Sequence, residues 1–422
     1  MTRSIDRRLF LQSGFAALGS SVLVAQSPFA FASTARRLGE RRLPFDNGRR
    51  LVVVQLRGGN DGLNTVVPYS DGTYSRMRPT LAVAPGDVLP ADGTSGFHPA
   101  LAPLLPWWQS GRMTVVHGVG YPGPDLSHFR SEAIWYTADP MVGTTDGWLG
   151  RWHAALAAPS PVGLTTVGAL PSPGLTAAGY VPATVRDPDS FGFDLVTPIP
   201  EDAALKRQLL RDGFTAGAAA DDLLADVGGT GLAADAIVDL VATVPPEAQP
   251  PVAYPDSVLV ADLTTAARLL AADLGTRVVW VTTSGFDTHA DQRDTHAELL
   301  TDVASSVAAF LADLEARDLA SRTAVLIWSE FGRRPQENGS QGTDHGAAAP
   351  AFLLGDPVAG GVIGAQPDLT SLDWGGNPRY EIDLRSIYET VLAEHLGVDP
   401  RMVFSETFER LGVFRESPVR VR

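Results

Sequence analysis

The sequence predicts an α/β domain built on a mostly parallel sheet, and three observations lead to this prediction. Residues 51–56 form an apolar run interrupted at Gln55, which is typical of a strand buried on both faces of a parallel sheet. Residues 277–283 and 323–328 are two further strand-forming runs. Between them, apolar residues recur at steps of three and four from Leu299 to Leu314, which indicates an amphipathic helix. A strand, a helix and a strand of these lengths imply a right-handed parallel crossover.

Helices and loops fill the intervals between the strands. Residues 99–116 predict a helix followed by a strand, and a further helix begins near Ser127. A helix over 262–274 leads into the second strand-forming run. The last predicted helix covers 384–396, because a glycine directly after it is placed to end it.

One segment differs in composition from the rest of the chain. Residues 155–250 are dominated by Pro, Gly, Ala and Asp. We interpret them as a cap inserted into a single domain that covers residues 45–422. The length of the chain allows one large domain of this kind or two smaller ones.

The N-terminal residues predict a route of export. Residues 1–32 resemble a twin-arginine signal peptide, with the arginine pair Arg7-Arg8 before an apolar stretch over 15–31. Ala30-Phe31-Ala32 supplies a small-x-small cleavage site, and 33–44 is a flexible lead-in. The alternative is a membrane helix, but the apolar stretch is short and weakly hydrophobic for a span of about 30 Å. We therefore expect a periplasmic or extracellular protein with no membrane segment after cleavage.

Charge and cysteine content exclude several classes of function. The net charge of −15 argues against nucleic acid or an anionic membrane surface as a partner. The chain has no cysteine, so disulfides, thiolate metal sites and cysteine nucleophiles are excluded. An exported chain of 422 residues has a core large enough to fold without disulfides.

Polar side chains follow three of the predicted strands at the points where the strands end. In an open α/β sheet, ligands bind outside the carboxyl ends of the strands. Carboxylates and imidazoles gathered there suit one or two divalent ions such as Zn²⁺ or Mn²⁺. The predicted metal ligands are Asp61, Asp287, His289, Glu330, Asp344 and His345.

Several of these residues also have a purely structural interpretation. Asp61 lies in an Asn-Asp-Gly sequence, which is turn chemistry. Asp287 precedes a helix and suits an N-cap, although its spacing of two from His289 puts both side chains on one face of an extended chain. Asp344 is either a ligand itself or a partner that orients His345.

Ser127 and Arg130 are the candidate catalytic residues. Ser127, at the start of a predicted helix, is either a nucleophile at a place where the helix dipole favours an anion or an ordinary N-cap. Arg130 is either a clamp for an oxyanion or a surface arginine. Among the other histidines, His395 is predicted to be structural, whereas His153 and His296 are predicted to be exposed on helices.

Five short motifs are specific in combination: Leu56-Arg57-Gly58-Gly59-Asn60-Asp61-Gly62-Leu63-Asn64, Ser127-His128-Phe129, Gly285-Phe286-Asp287-Thr288-His289, Ser329-Glu330-Phe331-Gly332-Arg333 and Gly342-Thr343-Asp344-His345-Gly346. Over nearly the whole chain after the signal, they resemble an exported bacterial family labelled domain of unknown function 1501. That family is grouped with the alkaline phosphatase and sulfatase superfamily. The resemblance implies a doubly wound, alkaline phosphatase-like α/β fold, two divalent metals and a Ser, Thr or Cys nucleophile.

The same resemblance implies a role for individual residues. The implied roles are Asp61 as a ligand of the second metal, Ser127 as the nucleophile on it, Asp287 and His289 as ligands of the first metal, and His345 as the later histidine ligand. The chain departs from the superfamily where Ser329-Glu330 replaces an Asp-His pair at a strand end. The number of metal ions therefore stays open between one and two.

The leading prediction of function is metal-dependent hydrolysis of a phosphate or sulfate ester, carried by a small molecule or a polymer. A first alternative is a non-catalytic binding protein of the same fold, which holds another exported protein or a polysaccharide. A second alternative is a phosphate-group transferase or mutase. Metal content distinguishes the binding protein from both enzymes, and dependence on an acceptor distinguishes the transferase from the hydrolase.

Overall fold

A computed structural model of the protein describes residues 47–156, 160–178, 180–193, 195, 201–220 and 223–415. The predicted twin-arginine signal and its cleavage site lie outside these residues and stay predictions. Within the described ranges, no helix is both long enough and apolar enough to cross a membrane.

The strands and helices alternate along most of the chain. The strands are β1 Arg50–Arg57, β2 Val66–Val67, β3 Leu89–Pro90, β4 Gly96–Phe97, β5 Met113–Gly120, β6 Leu164–Val167, β7 Ala183–Val185, β8 Val278–Ser284, β9 Thr323–Ser329, β10 Gly332–Glu337, β11 Thr343–Gly346, β12 Ala349–Leu354, β13 Gly361–Ile363 and β14 Ile382–Asp383. The α-helices are α1 Gly62–Thr65, α2 Gly72–Met77, α3 Leu105–Gln109, α4 His128–Thr137, α5 Trp148–Ala154, α6 Glu201–Ala218, α7 Leu223–Val241, α8 Val260–Ala271, α9 Gln292–Ala316 and α10 Leu384–Thr390. Short 3₁₀ turns cover Pro99–Leu104, Pro173–Leu175, Pro188–Ser190, Ala320–Arg322 and Pro400–Met402, and a π-helical turn covers Val391–Leu396.

The central sheet has nine strands, in the order β13-β5-β12-β9-β1-β8-β6-β7, with β14 paired to β5. β12 is antiparallel to both of its neighbours, and the other pairs in this sheet are parallel. Helices flank the sheet, so the predicted α/β class with a mostly parallel sheet is confirmed. Two small sheets, β10-β11 and β2-β4-β3, stand beside it.

The predicted first strand lies at the middle of the sheet as β1, between β9 and β8. Val52 and Val54 belong to the hydrophobic core on one face, whereas Leu51 and Val53 belong to the core on the other face. Because both faces are covered, successive positions of the strand favour apolar residues, which explains the run from Leu51 to Val54. Gln55, also buried, interrupts the run and hydrogen-bonds Tyr136.

The predicted crossover between the second and third strands is also present. α9 connects β8 to β9, and its residues Val307, Phe310 and Leu314 are fully buried in the core. The C-terminal helix begins at Leu384 as predicted, becomes π-helical after Thr390 and ends before Gly397, whose φ is +68°.

The predicted insertion over 155–250 is wrong for its first part. β6 and β7 lie within this segment, yet they are parallel strands of the central sheet next to β8. They are only four and three residues long, so they lack the apolar run that would reveal them. The helical hairpin of α6 and α7 is the part that stands beside the sheet, and Ile237 and Val241 of α7 join the core.

Candidate metal centre

The site forms at the carboxyl ends of β1, β8 and β9. β1 is in register with both neighbours: Leu56 pairs with Ser329, and Arg57 pairs with Ser284. The three strands therefore end at one level, and the loops that follow them meet. Gly58 has a φ of +118°, and a Cβ built on it would lie 2.5 Å from the backbone nitrogen of Asp287. Glycine is required there for the loops to approach so closely.

Three side chains converge beyond these strand ends. His128, Asp287 and His345 each offer one ligand atom, and these atoms lie within 4.8 Å of one another. The Nε2 atom of His345 is 3.1 Å from Oδ1 of Asp287, and Nε2 of His128 is 3.4 Å from Oδ2. Within the described ranges, this is the single group of its kind.

His289 adjoins the group from the loop after β8. Its Nε2 atom is 3.1 Å from Oδ1 of Asp287 and 3.0 Å from Nε2 of His345. Its Nδ1 atom is 3.4 Å from Oδ1 of Asp344. Asp344 thus lies behind His289, on the side away from the other ligand atoms, and it faces this histidine rather than His345, which it was predicted to orient.

Hydrogen bonds at Nδ1 fix how two of the imidazoles are presented. Nδ1 of His345 donates to the backbone oxygen of Leu126 at 2.7 Å, and Nδ1 of His128 is 2.7 Å from Oε1 of Glu330. A carbonyl or carboxylate oxygen accepts a hydrogen bond, so each neutral ring carries its hydrogen on Nδ1. The lone pair of Nε2 is then on the side of the ring that faces Asp287. This is the arrangement of a metal-binding histidine.

Electrostatics at the centre agree with cation binding. Burial would raise the pKa of Asp287, whose side chain is 49% exposed, but the contacts of its carboxylate with His345, Arg333 and His289 together outweigh burial and lower the pKa to about 2. The hydrogen bond to Glu330 raises the pKa of His128. Its Nε2 atom is buried and has no hydrogen-bond partner among the described residues. A buried nitrogen without a partner is costly, and coordination to a metal ion would satisfy it.

Glu330 does not join the ligand atoms, although it was predicted as a ligand. Its side chain is fully buried, and Oε1 accepts from the backbone nitrogen of Gly58 at 2.8 Å as well as facing His128. Oε2 accepts from the Ser329 hydroxyl at 3.2 Å. Both oxygens are thus occupied, and the structure gives Glu330 the role of orienting His128.

Asp61 is also separate from the group that it was predicted to join. Its fully buried carboxylate binds Nη1 of Arg78 at 2.6 Å and Nε2 of Gln292 at 2.5 Å, and it caps α1 at the backbone nitrogen of Asn64. Burial alone would raise the pKa of Asp61, but the charge of Arg78, the nearby His296 and the hydrogen bonds from Arg78 and Gln292 together outweigh it and lower the pKa. Its oxygens are therefore used inside the fold, and the interpretation as a turn and cap residue agrees with the geometry.

Ser127 and Arg130 lie at the start of α4, as predicted. Ser127 is exposed at the N-cap position, and its hydroxyl makes no capping hydrogen bond to the described helix. Arg130 donates to the backbone oxygen of Pro140 at 3.3 Å. Residues two apart on an α-helix point about 200° apart, so Arg130 faces away from His128 and its centre.

The sequence analysis missed two residues of this centre. His128 was quoted in a motif but passed over in favour of the serine before it, and the signal was a histidine at the start of a helix that follows a central strand. Arg333 was quoted at the end of another motif, and nothing local distinguishes it from a surface arginine.

The predicted exposure of His153 and His296 was wrong, because both are fully buried against other elements.

The geometry defines an α/β protein with a candidate metal centre at the carboxyl ends of its central strands. Residues 243–414 match the sequence profile of a family described as "Protein of unknown function (DUF1501)". This match confirms the predicted resemblance and includes Asp287 and His345, whereas His128 precedes it. No curated protein matches the chain.

Several solved structures share a distant likeness to this fold. The lipoteichoic acid synthase LtaP from Listeria monocytogenes is 10% identical, with 95% of this chain and 80% of that chain covered and a TM-score of 0.35. The PsFucS1 sulfatase from Pseudoalteromonas sp. is 13% identical, with 94% and 81% covered and a TM-score of 0.38. A protein in the alkaline phosphatase superfamily from Vibrio parahaemolyticus is 10% identical, with 94% and 78% covered and a TM-score of 0.31. At these scores, the likeness carries no argument about activity.

Proposed function

We propose that the chain is an exported hydrolase of a phosphate or sulfate ester that depends on one divalent metal ion. His128, Asp287 and His345 would hold the ion, and His289 adjoins them. The observation that carries this proposal is the convergence of three imidazole Nε2 atoms on the carboxylate of Asp287. Nitrogen and oxygen ligands of this kind suit Zn²⁺ or Mn²⁺.

The chain's own groups have separate tasks in this proposal. Glu330 orients His128 through Nδ1, and Asp344 faces His289 in the same manner. Ser127 is the candidate nucleophile, because its exposed hydroxyl directly precedes His128 and makes no capping bond within the described helix. A divalent ion supplies Lewis acidity, which polarises the ester and stabilises the charge that develops on the leaving oxygen.

One observation also favours a second candidate function. Asp61 already binds Arg78 and Gln292, so the described residues supply ligands for one ion rather than two. A single ion also fits a non-catalytic protein that uses the centre to bind an exported partner or a polysaccharide. A transferase would use the same centre and would require an acceptor other than water.

The test uses protein purified without chelators. Elemental analysis gives the metal content, and hydrolysis of p-nitrophenyl phosphate and p-nitrophenyl sulfate is measured with added Zn²⁺ or Mn²⁺. Bound metal stabilises the native state by about 2.7 kcal/mol at 100 times the dissociation constant, so chelation should lower the melting temperature. Asp287→Ala is the control and should melt at the same temperature with and without chelator.

Each outcome separates the candidates. Metal binding with hydrolysis of either ester supports the hydrolase. Metal binding without hydrolysis, even with alcohol acceptors present, favours the binding protein. A melting temperature that chelator does not move, together with no metal by elemental analysis, contradicts the proposed centre itself.

A further inference from the structure

Arg333 is a fully buried arginine at the start of β10, directly behind the candidate metal centre. Its guanidinium donates to five acceptors in three separate segments. Nε donates to the backbone oxygen of Gly59 at 2.6 Å, Nη1 to that of Thr343 at 2.7 Å, and Nη2 to the backbone oxygens of Gly58 and Phe286 and to Oδ1 of Asp287. One side chain therefore joins the loop after β1, the loop after β8 and the strand β11.

These three segments carry or support most of the ligand atoms. Asp287 follows Phe286 in the loop after β8, and His345 lies two residues after Thr343 in β11. Arg333 and His345 are also direct partners in the β10–β11 ladder. The backbone nitrogen of Gly58 binds Glu330, which orients His128.

The positive charge of Arg333 is balanced by the carboxylate of Asp287, which belongs to the candidate metal centre. Of its five acceptors, four are neutral carbonyls, and the carboxylate of Asp287, at 2.8 Å, is the one that carries charge. The guanidinium is planar, and its donors have fixed directions, so it restrains both the position and the rotation of Asp287. Lysine carries the same charge at a single point and cannot join three segments in this manner.

We infer that Arg333 is the positioning residue of the metal centre, which sets metal affinity without contacting the ion. This inference rests on the proposed metal centre and adds a residue that determines how tightly the centre binds the metal ion. The loss of an orienting partner typically costs 10- to 100-fold in metal affinity.

Arg78 provides a matched control within the same fold. It is equally buried, and it donates to the backbone oxygens of Pro335 and Arg334 and to the side chain of Asp61. It contacts none of the described ligand residues. Replacing either arginine therefore removes a buried guanidinium, but only Arg333 touches the centre.

The experiment measures the dissociation constant for Zn²⁺ by competition with a chromogenic chelator, and the melting temperature without metal. Arg333→Lys is expected to raise the dissociation constant by about 10- to 100-fold. Arg78→Lys is expected to lower the melting temperature to a similar degree and to leave the dissociation constant within about threefold, because Arg78 contacts none of the proposed ligands and residues without shared partners couple weakly. Arg333→Gln, which removes the buried charge, is measured beside them in case one substitution does not fold.

An unchanged dissociation constant in the Arg333 variants, or an equal rise in Arg78→Lys, would overturn the inference. Failure of both Arg333 variants to fold while Arg78→Lys folds would also overturn it, because Arg333 would then be a requirement of the fold. Zn²⁺ binding by the unaltered protein without ester hydrolysis would contradict the proposed reaction and leave this inference standing. No Zn²⁺ binding at all would contradict both.

Discussion

The two ring nitrogens of His128 have different surroundings, and the difference defines its role. Nδ1 is 2.7 Å from the buried carboxylate of Glu330, whereas Nε2 faces Oδ2 of Asp287 at 3.4 Å without a hydrogen bond. Ser127, one residue earlier, makes no capping bond with its hydroxyl in the described helix. In the proposed hydrolase, His128 therefore binds the metal and Ser127 supplies the nucleophile.

Substitution of each neighbour should have a different effect. His128→Ala removes a ligand, so metal affinity should fall by more than the roughly 10- to 100-fold that loss of an orienting partner costs. Ser127→Ala should keep the metal and the melting temperature but abolish ester hydrolysis, because the proposed hydrolase uses the activated hydroxyl of Ser127 as its nucleophile. Titration calorimetry with Zn²⁺ and the p-nitrophenyl assays measure the two effects. Full metal affinity in His128→Ala would contradict its place in the centre, and full activity in Ser127→Ala would contradict its role as nucleophile.

The loop between β1 and α1 illustrates how elements are held together beneath the centre. Asp61 is the N-cap of α1, Arg78 directly follows α2, and Gln292 is the first residue of α9. The carboxylate of Asp61 binds the side chains of both Arg78 and Gln292. Gln292 in turn accepts from the hydroxyl of Thr343 at 2.6 Å. A buried polar network of this kind fixes the relative positions of four elements.

Removal of the carboxylate of Asp61 should therefore destabilise the fold. Asp61→Ala leaves the charge of Arg78 buried without its partner, which should cost about 3–5 kcal/mol of unfolding free energy. Glu315→Ala is the control, since Glu315 is 46% exposed at its side chain and its partner Arg112 keeps a second ion pair with Asp356, and it should cost at most about 1 kcal/mol.

Urea denaturation of both variants, combined with elemental analysis, checks this prediction. The metal content of the folded Asp61→Ala protein should equal that of the unaltered protein. A variant that is stable but lacks metal would restore Asp61 as a ligand.

At the scale of the whole molecule, buried histidines couple stability to pH. Burial lowers the pKa of His153 and of His395 to about 3. Nε2 of His395 donates to the backbone oxygen of Arg50 at 2.7 Å, at the start of β1; burial outweighs the effect of this hydrogen bond, which raises the pKa, and keeps the ring neutral. Because a histidine in the unfolded chain titrates near its ordinary pKa of about 6.5, the unfolded state binds more protons at lower pH.

Stability should consequently fall as the pH falls from about 6.5 toward the folded pKa, by up to about 1.4 kcal/mol per pH unit for each such histidine. His395→Phe removes one of these groups and should reduce the slope by about that amount between pH 6 and pH 4, even though the variant is less stable overall. Urea denaturation across this range, with chelator present so that the metal centre does not contribute, measures both slopes. Equal slopes would contradict the prediction.

The local sequence determined the element types and the end of the sheet where the centre forms. The apolar runs of β1, β8 and β9 reflect burial on both faces of the sheet, and the helical spacing of α9 reflects burial on one face. Such patterns are visible in a few consecutive residues. The position of Asp287 was predictable because it follows a strand end of the open sheet, where side chains come together. His345 instead lies within β11, in the small sheet beside the central one. The short strands β6 and β7 were missed because three or four residues carry too little pattern.

Only the tertiary structure decided which polar side chains face the centre and which face the interior. Asp61 meets Gln292 from 231 positions away, and His128 meets Glu330 from 202 positions away. A carboxylate at a strand end has the same local sequence whether it binds an ion, orients a histidine or neutralises a buried arginine. The choice depends on which partner the packing supplies, because a buried charge is stable only with a partner of opposite charge or with hydrogen-bond donors beside it.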